Sequence, residues 1–342
     1  MIITLFHIHM TPPKLTFGLP AYKAPFLREA IDSILAQSYT DFELVIVNDA
    51  SPENLDEIVQ SYSDARIRYY RNAENLGKKD LVSNWNLCLS YARGEYFVLA
   101  SDDDIYHKDF AVKLIELLEK YPNVDLAHCR VATINAEKNV VSISGSCQEW
   151  ESCVEFVHNR AIFRRTQMAP DFMCRTVALK DIGGFVSFPL AWYSDDATWF
   201  SLAKHGGVVW SSDILFYFRN SGLNISSSPR GVAEKKLAAA TQYSEWFHSY
   251  ISEINTDDCK NNQILKTIKT QYNSLILCEV PKLIKNESFR MCLSLYSFYR
   301  KKNVSYADAI LNVILKRLSQ TCLKPCVFIF KIITFGLFSR KK

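Results

Sequence analysis

The first half of the chain alternates between short apolar runs and segments whose apolar residues recur at helical spacing. The apolar runs lie at 15–19, 42–47, 66–70 and 96–100, and the helical segments lie at 26–37, 52–62, 81–92 and 109–120. The runs lack the polar alternation of a strand with one solvent-facing side, so they predict parallel strands that helices cover on both faces. We therefore expect an α/β fold with a mostly parallel sheet flanked by helices.

The second half of the chain has a different pattern. Residues 125–235 are mixed and rich in loops, with Gly183-Gly184 and Gly206-Gly207 as turn signals. From about Val232 onward only helical patterns remain and glycine almost vanishes. This change predicts a boundary near residue 235, followed by an α-helical C-terminal region.

Composition narrows the class of protein. Hydrophobic residues make up 48% and aromatic residues 13% of the chain, which is enough for a core and excludes a disordered chain. No stretch reaches the roughly 18 uninterrupted apolar residues that a membrane-spanning helix needs. The N-terminal segment has neither a basic n-region nor a small-residue cleavage site, so no secretory signal is expected. The ten cysteines are scattered without a Cys-x-x-Cys pair, which favours reduced thiols in a cytoplasmic protein.

The net charge of +4 hides a division between the body and the end of the chain. From Pro281 to the C-terminus there are 13 Lys/Arg and 2 Asp/Glu, whereas the preceding part carries 27 and 34. A basic tail on a mildly acidic body predicts contact with an anionic surface, either nucleic acid or the inner face of a membrane. No nucleic-acid motif supports the first choice, so binding to nucleic acid is not expected.

The end of the chain combines this basic charge with apolar runs. After Asp308 there are seven Lys/Arg and no acids, and apolar runs lie at 310–315, 326–330 and 332–338. Long basic side chains can reach lipid headgroups while apolar side chains sit at the acyl boundary, which favours peripheral attachment to the cytoplasmic face of an anionic membrane. The alternative is a C-terminal helix that packs its apolar face on the rest of the protein.

Two acidic loops follow predicted strands directly. Asn48-Asp49-Ala50 and Asp102-Asp103-Asp104 both lie at strand carboxyl ends, which places them on the rim where such sheets bind ligands. Three consecutive carboxylates suit Mg²⁺ or Mn²⁺ together with a diphosphate, or alternatively Asp104 caps the following helix. In the same way Asp49 either accepts a hydrogen bond from a nucleotide base or caps the helix after it.

A third acidic pair, Asp195-Asp196, precedes a helix that is predicted to end near Lys204. Ser194 or Asp195 could cap this helix, or one carboxylate could act as general base towards an alcohol. The neighbouring aromatic residues could stack on a sugar ring or belong to the core. No Gly-x-Gly-x-x-Gly, P-loop, zinc-ligand set or Gly-x-Ser-x-Gly elbow occurs in the sequence.

Taken together, these positions resemble the family 2 glycosyltransferases, which use nucleotide-diphospho-sugars and have the GT-A fold. The matching blocks are 15–22, 27–39, 42–51, Asn75-Leu76-Gly77, Asn84-Trp85-Asn86, 93–96 and 101–106. They keep the family's spacing from about residue 14 to 126, and weaker matches follow at Gly183-Gly184-Phe185, Asp195-Asp196 and Tyr217-Phe218-Arg219. The sequence departs from the family's pattern at Lys23, where Asn is usual, and at Asn48 and Ser101, where Asp is usual.

The resemblance implies a domain organisation and a set of site residues. It implies a catalytic domain over 14–235, with nucleotide-sugar binding in 14–126 and the acceptor side in 127–235, and a helical region over 236–342. It assigns nucleotide-sugar binding to Pro20, Ala21, Tyr22, Asp49, Asn75, Gly77, Asn84, Asp102, Asp103 and Arg219. Asp49 would hold the base, here uracil. The metal, Mn²⁺ or Mg²⁺, would be bound by Asp102 and Asp104, with Asp103 a competing ligand, and Asp196 of the Asp195-Asp196 pair would be the catalytic base.

The resemblance also implies an activity. We expect metal-dependent, inverting transfer of a sugar from a UDP-linked donor to a hydroxyl of a saccharide or lipid-linked saccharide, in cell-surface polysaccharide or glycolipid synthesis. The Gln-x-x-Arg-Trp segment of processive synthases is absent, which favours one sugar per encounter. The alternatives are a non-catalytic nucleotide-sugar-binding homologue and a nucleotidyltransferase. The latter should carry a Gly-rich loop with a basic residue where Pro20-Ala21-Tyr22-Lys23 stands.

Overall fold

The computed structural model describes residues 12–161, 166–222, 232–269, 287–301 and 307–320. Its strands are β1 Leu15–Ala21, β2 Phe42–Asn48, β3 Ile67–Arg71, β4 Tyr96–Leu99, β5 Ile105–Tyr106, β6 Leu126–Ile134, β7 Val140–Ile143, β8 Trp150–Glu151, β9 Phe172–Arg175 and β10 Val208–Arg219. Its α-helices are α1 Leu27–Leu35, α2 Leu55–Gln60, α3 Leu81–Tyr91, α4 Phe110–Lys120, α5 Cys153–Ala161, α6 Thr176–Asp181, α7 Ser194–Ala203, α8 Ala233–Glu253, α9 259–269, α10 Phe289–Lys301 and α11 Ala307–Gln320.

One sheet runs through the described residues in the order β3-β2-β1-β4-β9-β6-β10-β5. The first four strands are parallel, as the alternating pattern predicts, and β6 pairs in parallel with β10. The antiparallel strand β9 lies between β4 and β6, so the second half of the sheet is mixed. The predicted α/β class is confirmed.

The parallel strands are buried on both faces because alternate side chains enter two different cores. Phe42, Leu44 and Ile46 of β2 pack on the side of α1, α2 and α4. Val45 and Val47, which lie between them in the sequence, pack on the opposite side with α3 and α7. This arrangement explains why the strand shows an unbroken apolar run and not an alternation.

The helix after β2 begins later than the sequence suggests. The sequence pattern predicts a helical segment from residue 52, but α2 begins at Leu55. The reason is local, because the Asn54 side chain accepts a hydrogen bond from the Glu57 N–H at 3.3 Å and so caps the helix.

The described part of the C-terminal region shares the core on one side of the sheet. α8 to α11 contribute apolar side chains to the core that also holds α3 and α7. In α11, Ala307, Ile310 and Ile314 recur at helical spacing and are fully or almost fully buried there. Ile310 and Ile314 are thus covered by protein, whereas attachment of the remaining tail to a membrane stays a prediction.

The remaining apolar runs of the predicted tail, 326–330 and 332–338, lie outside the described residues. Within the described part of the chain, none of the helices combines the length and apolarity that crossing a bilayer requires.

Candidate active site

A cavity of about 1210 Å³ opens at the carboxyl ends of β1, β2 and β4. Most of the residues predicted to form the site line it, namely Pro20, Tyr22, Asp49, Asn75, Gly77, Asn84, Asp102, Asp103, Asp104, Asp195 and Asp196. Two predicted residues do not line it, Ala21 and Arg219, and both are fully buried. The fold therefore gathers three acidic segments that are up to 147 residues apart in sequence into one cavity.

Asp49 organises the loop between β3 and α3. Its carboxylate accepts hydrogen bonds from the N–H groups of Leu76 and Gly77, both at 2.8 Å, and from the Asn72 side chain at 2.8 Å. The capping alternative is wrong, because Asn54 caps α2 and Asp49 bonds to a different segment. Asp49 thus fixes the position of a loop whose residues Asn75 and Gly77 line the cavity.

Substitution of Gly77 is expected to disturb this loop without unfolding the protein. A Cβ atom at this position would lie 2.9 Å from Asp49 Oδ2, which is too close for an unstrained contact. Gly77→Ala should therefore weaken nucleotide binding by roughly tenfold, about 1.4 kcal/mol, measured by calorimetric titration. Lys79→Ala in the same loop, where the side chain is exposed, is the control. Equal affinities for all three proteins would contradict the role given to this loop.

The acidic loop 102–104 is bound tightly to the loop after β1. Asp102 Oδ2 accepts hydrogen bonds from the N–H groups of Tyr22 and Lys23, both at 2.8 Å. The Lys23 ammonium lies 3.2 Å from Asp102 Oδ1 and forms an ion pair with Asp103 Oδ2. A cation therefore already lies between two neighbouring carboxylates at the cavity wall.

Asp104 points elsewhere. Its carboxylate accepts hydrogen bonds from the Arg219 N–H at 2.7 Å and from the Ser101 hydroxyl. Burial and then the charge of Asp103 raise the pKa of Asp104 to about 8. The capping alternative is wrong here too, because β5 follows Asp104 and α4 begins only at Phe110.

The donor chemistry of this loop fits Mn²⁺ or Mg²⁺. Both ions prefer oxygen ligands, and one or two carboxylates with substrate phosphates are the usual set. Asp102 and Asp103 supply such a pair, and the ammonium of Lys23 already occupies the space between them. In the described part of the chain no cluster of three or more potential ligand side chains is arranged around one point, so phosphates would have to complete the shell.

Arg219 supports the acidic loop from behind, and its predicted contact with the donor is corrected. Its guanidinium donates to the Asp103 carbonyl at 2.8 Å and the Ala136 carbonyl at 2.9 Å, and pairs with Glu29 at 2.8 Å. The side chain is fully buried and does not line the cavity. A buried arginine with these bonds fixes the loop that carries the acids.

We expect Arg219→Met to destabilise the fold strongly. The change keeps most of the side-chain volume but removes the bonds to the Asp103 and Ala136 carbonyls and one of the two partners of Glu29. Losing hydrogen bonds donated by a charged group costs about 1.5–3 kcal/mol each, and chemical unfolding measures this loss. Lys138→Gln, which removes the exposed second partner of Glu29, should cost less than about 1 kcal/mol. Similar free energies of unfolding for the two variants would contradict this account.

The Asp195-Asp196 pair lies in the first turn of α7, and Asp196 is firmly bonded. Its Oδ1 accepts from Arg160 Nε at 2.8 Å and Gln167 Nε2 at 2.9 Å, and its Oδ2 accepts from Arg160 at 3.0 Å. A carboxylate offers about four acceptor positions, so Oδ2 keeps one for a further donor from the cavity. Neither Ser194 nor Asp195 caps α7, whose N-cap residue is Tyr193.

Asp195 has a different environment. It is partly exposed at the cavity, and burial together with the charge of Asp196 raises the pKa of Asp195 to about 7. A carboxyl group with such a pKa exchanges its proton near neutral pH. Asp195 and Asp196 are therefore both candidates for the proton acceptor.

The segment before α7 is held in an unusual conformation beside the cavity. Leu190, Ala191 and Tyr193 have φ angles of 61°, 54° and 69°, a region that residues other than glycine rarely adopt. Strain of this kind is concentrated at functional sites. The ring of Tyr193 stacks on Tyr243 of α8, with centroids 4.5 Å apart, so α8 supports this wall of the cavity.

Of the aromatic residues in this segment, only some face the cavity. Trp192 and Tyr193 line it, whereas Trp199 is buried and stacks on Phe172 with centroids 4.9 Å apart. Trp199 therefore belongs to the core, which was one of the two roles that the sequence left open for these aromatic residues.

Sequence reasoning missed the positively charged and amide partners of the acids. Arg160 and Gln167 bond to Asp196 across 36 and 29 residues, and no pattern in the sequence connects them. Lys23 was visible only as a departure from the family's usual residue.

The sheet order, the cavity at its carboxyl ends and the acidic rim loops define a GT-A type of nucleotide-binding α/β fold. Residues 16–178 of the chain match the family model described as Glycosyl transferase family 2. The chain is 26% identical to an uncharacterized glycosyltransferase of Rickettsia typhi over 215 residues. These residues cover 60% of this chain and 64% of that protein. The chain thus spans less than two thirds of that relative.

Solved structures with the same fold are S. aureus TarS 1–349 in complex with UDP-GlcNAc and the mannosyltransferase PcManGT from Pyrobaculum calidifontis in complex with GDP-Man and Mn²⁺. The first has a TM-score of 0.60 at 15% identity and covers 90% of this chain and 92% of that one. The second has a TM-score of 0.54 at 17% identity and covers 90% of this chain and 88% of that one.

Proposed function

We propose that the protein transfers a sugar from a nucleotide-diphospho-sugar, UDP-linked, to a hydroxyl of a saccharide or lipid-linked saccharide acceptor. The transfer inverts the anomeric centre and adds one sugar per encounter, in cell-surface polysaccharide or glycolipid synthesis. The observation that carries the proposal is the cavity in which the Asp49 loop, the acidic loop 102–104 and the Asp195-Asp196 pair lie together.

The two ends of the cavity suit the two halves of the donor. Asp49 and the loop it holds, including Asn75 and Gly77, lie at the carboxyl end of β2 and would receive the nucleoside. Asp102 and Asp103 lie at the end of β4 and would hold Mn²⁺ or Mg²⁺. When bound, such an ion neutralises the charge that develops on the diphosphate leaving group.

The chain's own residues would carry the proton transfer. Asp196 is oriented by Arg160 and Gln167, and the free acceptor position on its Oδ2 would receive the proton of the attacking hydroxyl. Trp192 and Tyr193 line the cavity near this pair and would pack on the acceptor sugar. The bonds from Arg160 and Gln167 fix the orientation of the carboxylate, so the base is preorganised.

A screen of nucleotide sugars tests this function. Purified protein is incubated with UDP-linked and GDP-linked sugars and Mn²⁺ or Mg²⁺, and release of nucleoside diphosphate is measured with and without candidate saccharide acceptors. Release from at least one donor that an acceptor accelerates supports the proposal. Tight binding without any turnover would instead identify a non-catalytic nucleotide-sugar-binding protein.

The basic tail leads to a separate prediction. It rests on the sequence alone, since residues 321–342 lie outside the described part of the chain. Five Lys/Arg and the runs 326–330 and 332–338 lie within it. Each basic residue near an anionic surface contributes roughly 1 kcal/mol to binding. Deletion of 320–342 should release the protein from anionic vesicles in a sedimentation assay without unfolding residues 14–230. Full-length protein that stays in solution with such vesicles at low salt would refute the attachment.

A further inference from the structure

The ammonium of Lys23 lies where the donor-binding chemistry calls for a metal ion. It is 3.2 Å from Asp102 Oδ1 and is paired with Asp103 Oδ2, and both carboxylates are almost completely buried. A divalent ion that binds to these two carboxylates has to displace the ammonium, because both cations use the same oxygens. Lys23, a side chain of the protein itself, therefore competes with the ion for these oxygens.

The backbone around Lys23 does not have to move for this exchange. The Tyr22 and Lys23 N–H groups both donate to Asp102 Oδ2, so the main chain is anchored to the acidic loop independently of the ammonium. Only the flexible four-carbon stem needs a new rotamer. The side chain is about one quarter exposed and lines the cavity, so it has room to turn.

A displaced ammonium in this cavity needs a new partner of negative charge. Among the acids that line the cavity, Asp104 is bonded to Arg219 and Ser101, and Asp102 and Asp103 would be occupied by the ion. A diphosphate beside the ion supplies that partner, since lysine binds phosphate oxygens as a compact point charge.

We propose that Lys23 is an internal cation that pairs with Asp102 and Asp103 in the donor-free protein and moves to the diphosphate when the ion and the donor bind together. The proposal rests on the proposed function, because it names the donor's diphosphate as the second partner. It makes the ion and the nucleotide bind cooperatively: the ion alone competes with Lys23, whereas the ion with a nucleoside diphosphate does not.

Binding of Mn²⁺ without nucleotide tests the competition directly. Free Mn²⁺ is measured by its electron paramagnetic resonance signal during titration of the full-length protein. We expect Lys23→Met to bind Mn²⁺ alone at least tenfold more tightly than the unmodified protein. Lys23→Arg keeps the charge, and Lys78→Met removes another lysine from the same cavity wall, so both should stay within threefold. Unchanged or weaker Mn²⁺ binding by Lys23→Met overturns the proposal.

A second titration tests the move to the diphosphate. UDP or GDP is titrated into each protein at saturating Mn²⁺, and Lys23→Met should bind the nucleotide about tenfold more weakly than the unmodified protein. Equal nucleotide affinity would overturn this half of the proposal. If the unmodified protein binds neither nucleotide, the proposed function fails, while the Mn²⁺ titration still decides whether Lys23 competes with the ion. Should Lys23→Met unfold, Lys23→Gln removes the charge with a smaller change in polarity.

Discussion

Asp196→Asn is expected to reduce turnover on the order of 10²-fold or more while nucleotide binding stays within about threefold, because it removes the general base and leaves the nucleotide end of the cavity intact. The amide keeps the size of the side chain, but it lacks a negative charge and pairs poorly with Arg160, which bonds to both oxygens of the acid. Steady-state rates and calorimetric nucleotide titration on the same preparation measure the two effects.

Asp195→Asn is the matched variant for this experiment. Asp195 adjoins Asp196 and lines the same cavity, but its pKa is raised to about 7 by burial and by the charge of its neighbour. A base works only when deprotonated, so its activity rises as the pH increases through its pKa. If Asp195→Asn is inactive, Asp196→Asn is active, and an inflection near pH 7 in the unmodified protein is lost with Asp195, then Asp195 is the base.

The positions of the acidic loops could be predicted from the sequence because they follow from strand ends. Asp49 and Asp102 follow buried apolar runs by two residues, and parallel strands that point the same way bring their carboxyl ends to one rim. The same reasoning gives the helices that cover the sheet. It fails where a helix start depends on one side chain, as with Asn54 before α2.

The partners of the acids could not be predicted in this way. Asp49 bonds to a loop that lies more than twenty residues later in the sequence. Asp196 of α7 bonds to Arg160 of α5, which lies 36 residues earlier. Such pairs depend on how loops and helices that are distant in the sequence pack together, and hydrophobic periodicity carries no information about this. Arg219 shows the reverse error, since a charged residue near a matched motif suggested ligand contact although its guanidinium is buried behind the loop.

The structure also divides the acids by function in a way that the sequence does not. Asp102 and Asp103 face a cation, Asp104 fastens the loop to β10, and Asp49 fastens the loop after β3. All four are almost completely buried, so each charge must be balanced by a partner or a raised pKa. Lys23 is the partner of both Asp102 and Asp103. An ion that binds to these carboxylates therefore changes the position of the Lys23 ammonium.

Removal of divalent ions by EDTA is expected to abolish turnover, and restoring Mn²⁺ or Mg²⁺ in excess should recover it. The leaving group is a nucleoside diphosphate, and Lys23 alone supplies one positive charge at the acidic loop, whereas the ion adds two.

Asp103→Asn should reduce turnover by at least 10²-fold and weaken Mn²⁺ binding in the presence of nucleotide. The electron paramagnetic resonance signal of free Mn²⁺ measures this binding. Asp213→Asn, an exposed acid far along β10 that pairs with Lys113, is the control and should change neither quantity. Full activity in EDTA, with the ion verified as absent by elemental analysis, would show that Lys23 suffices as the cation at Asp102 and Asp103.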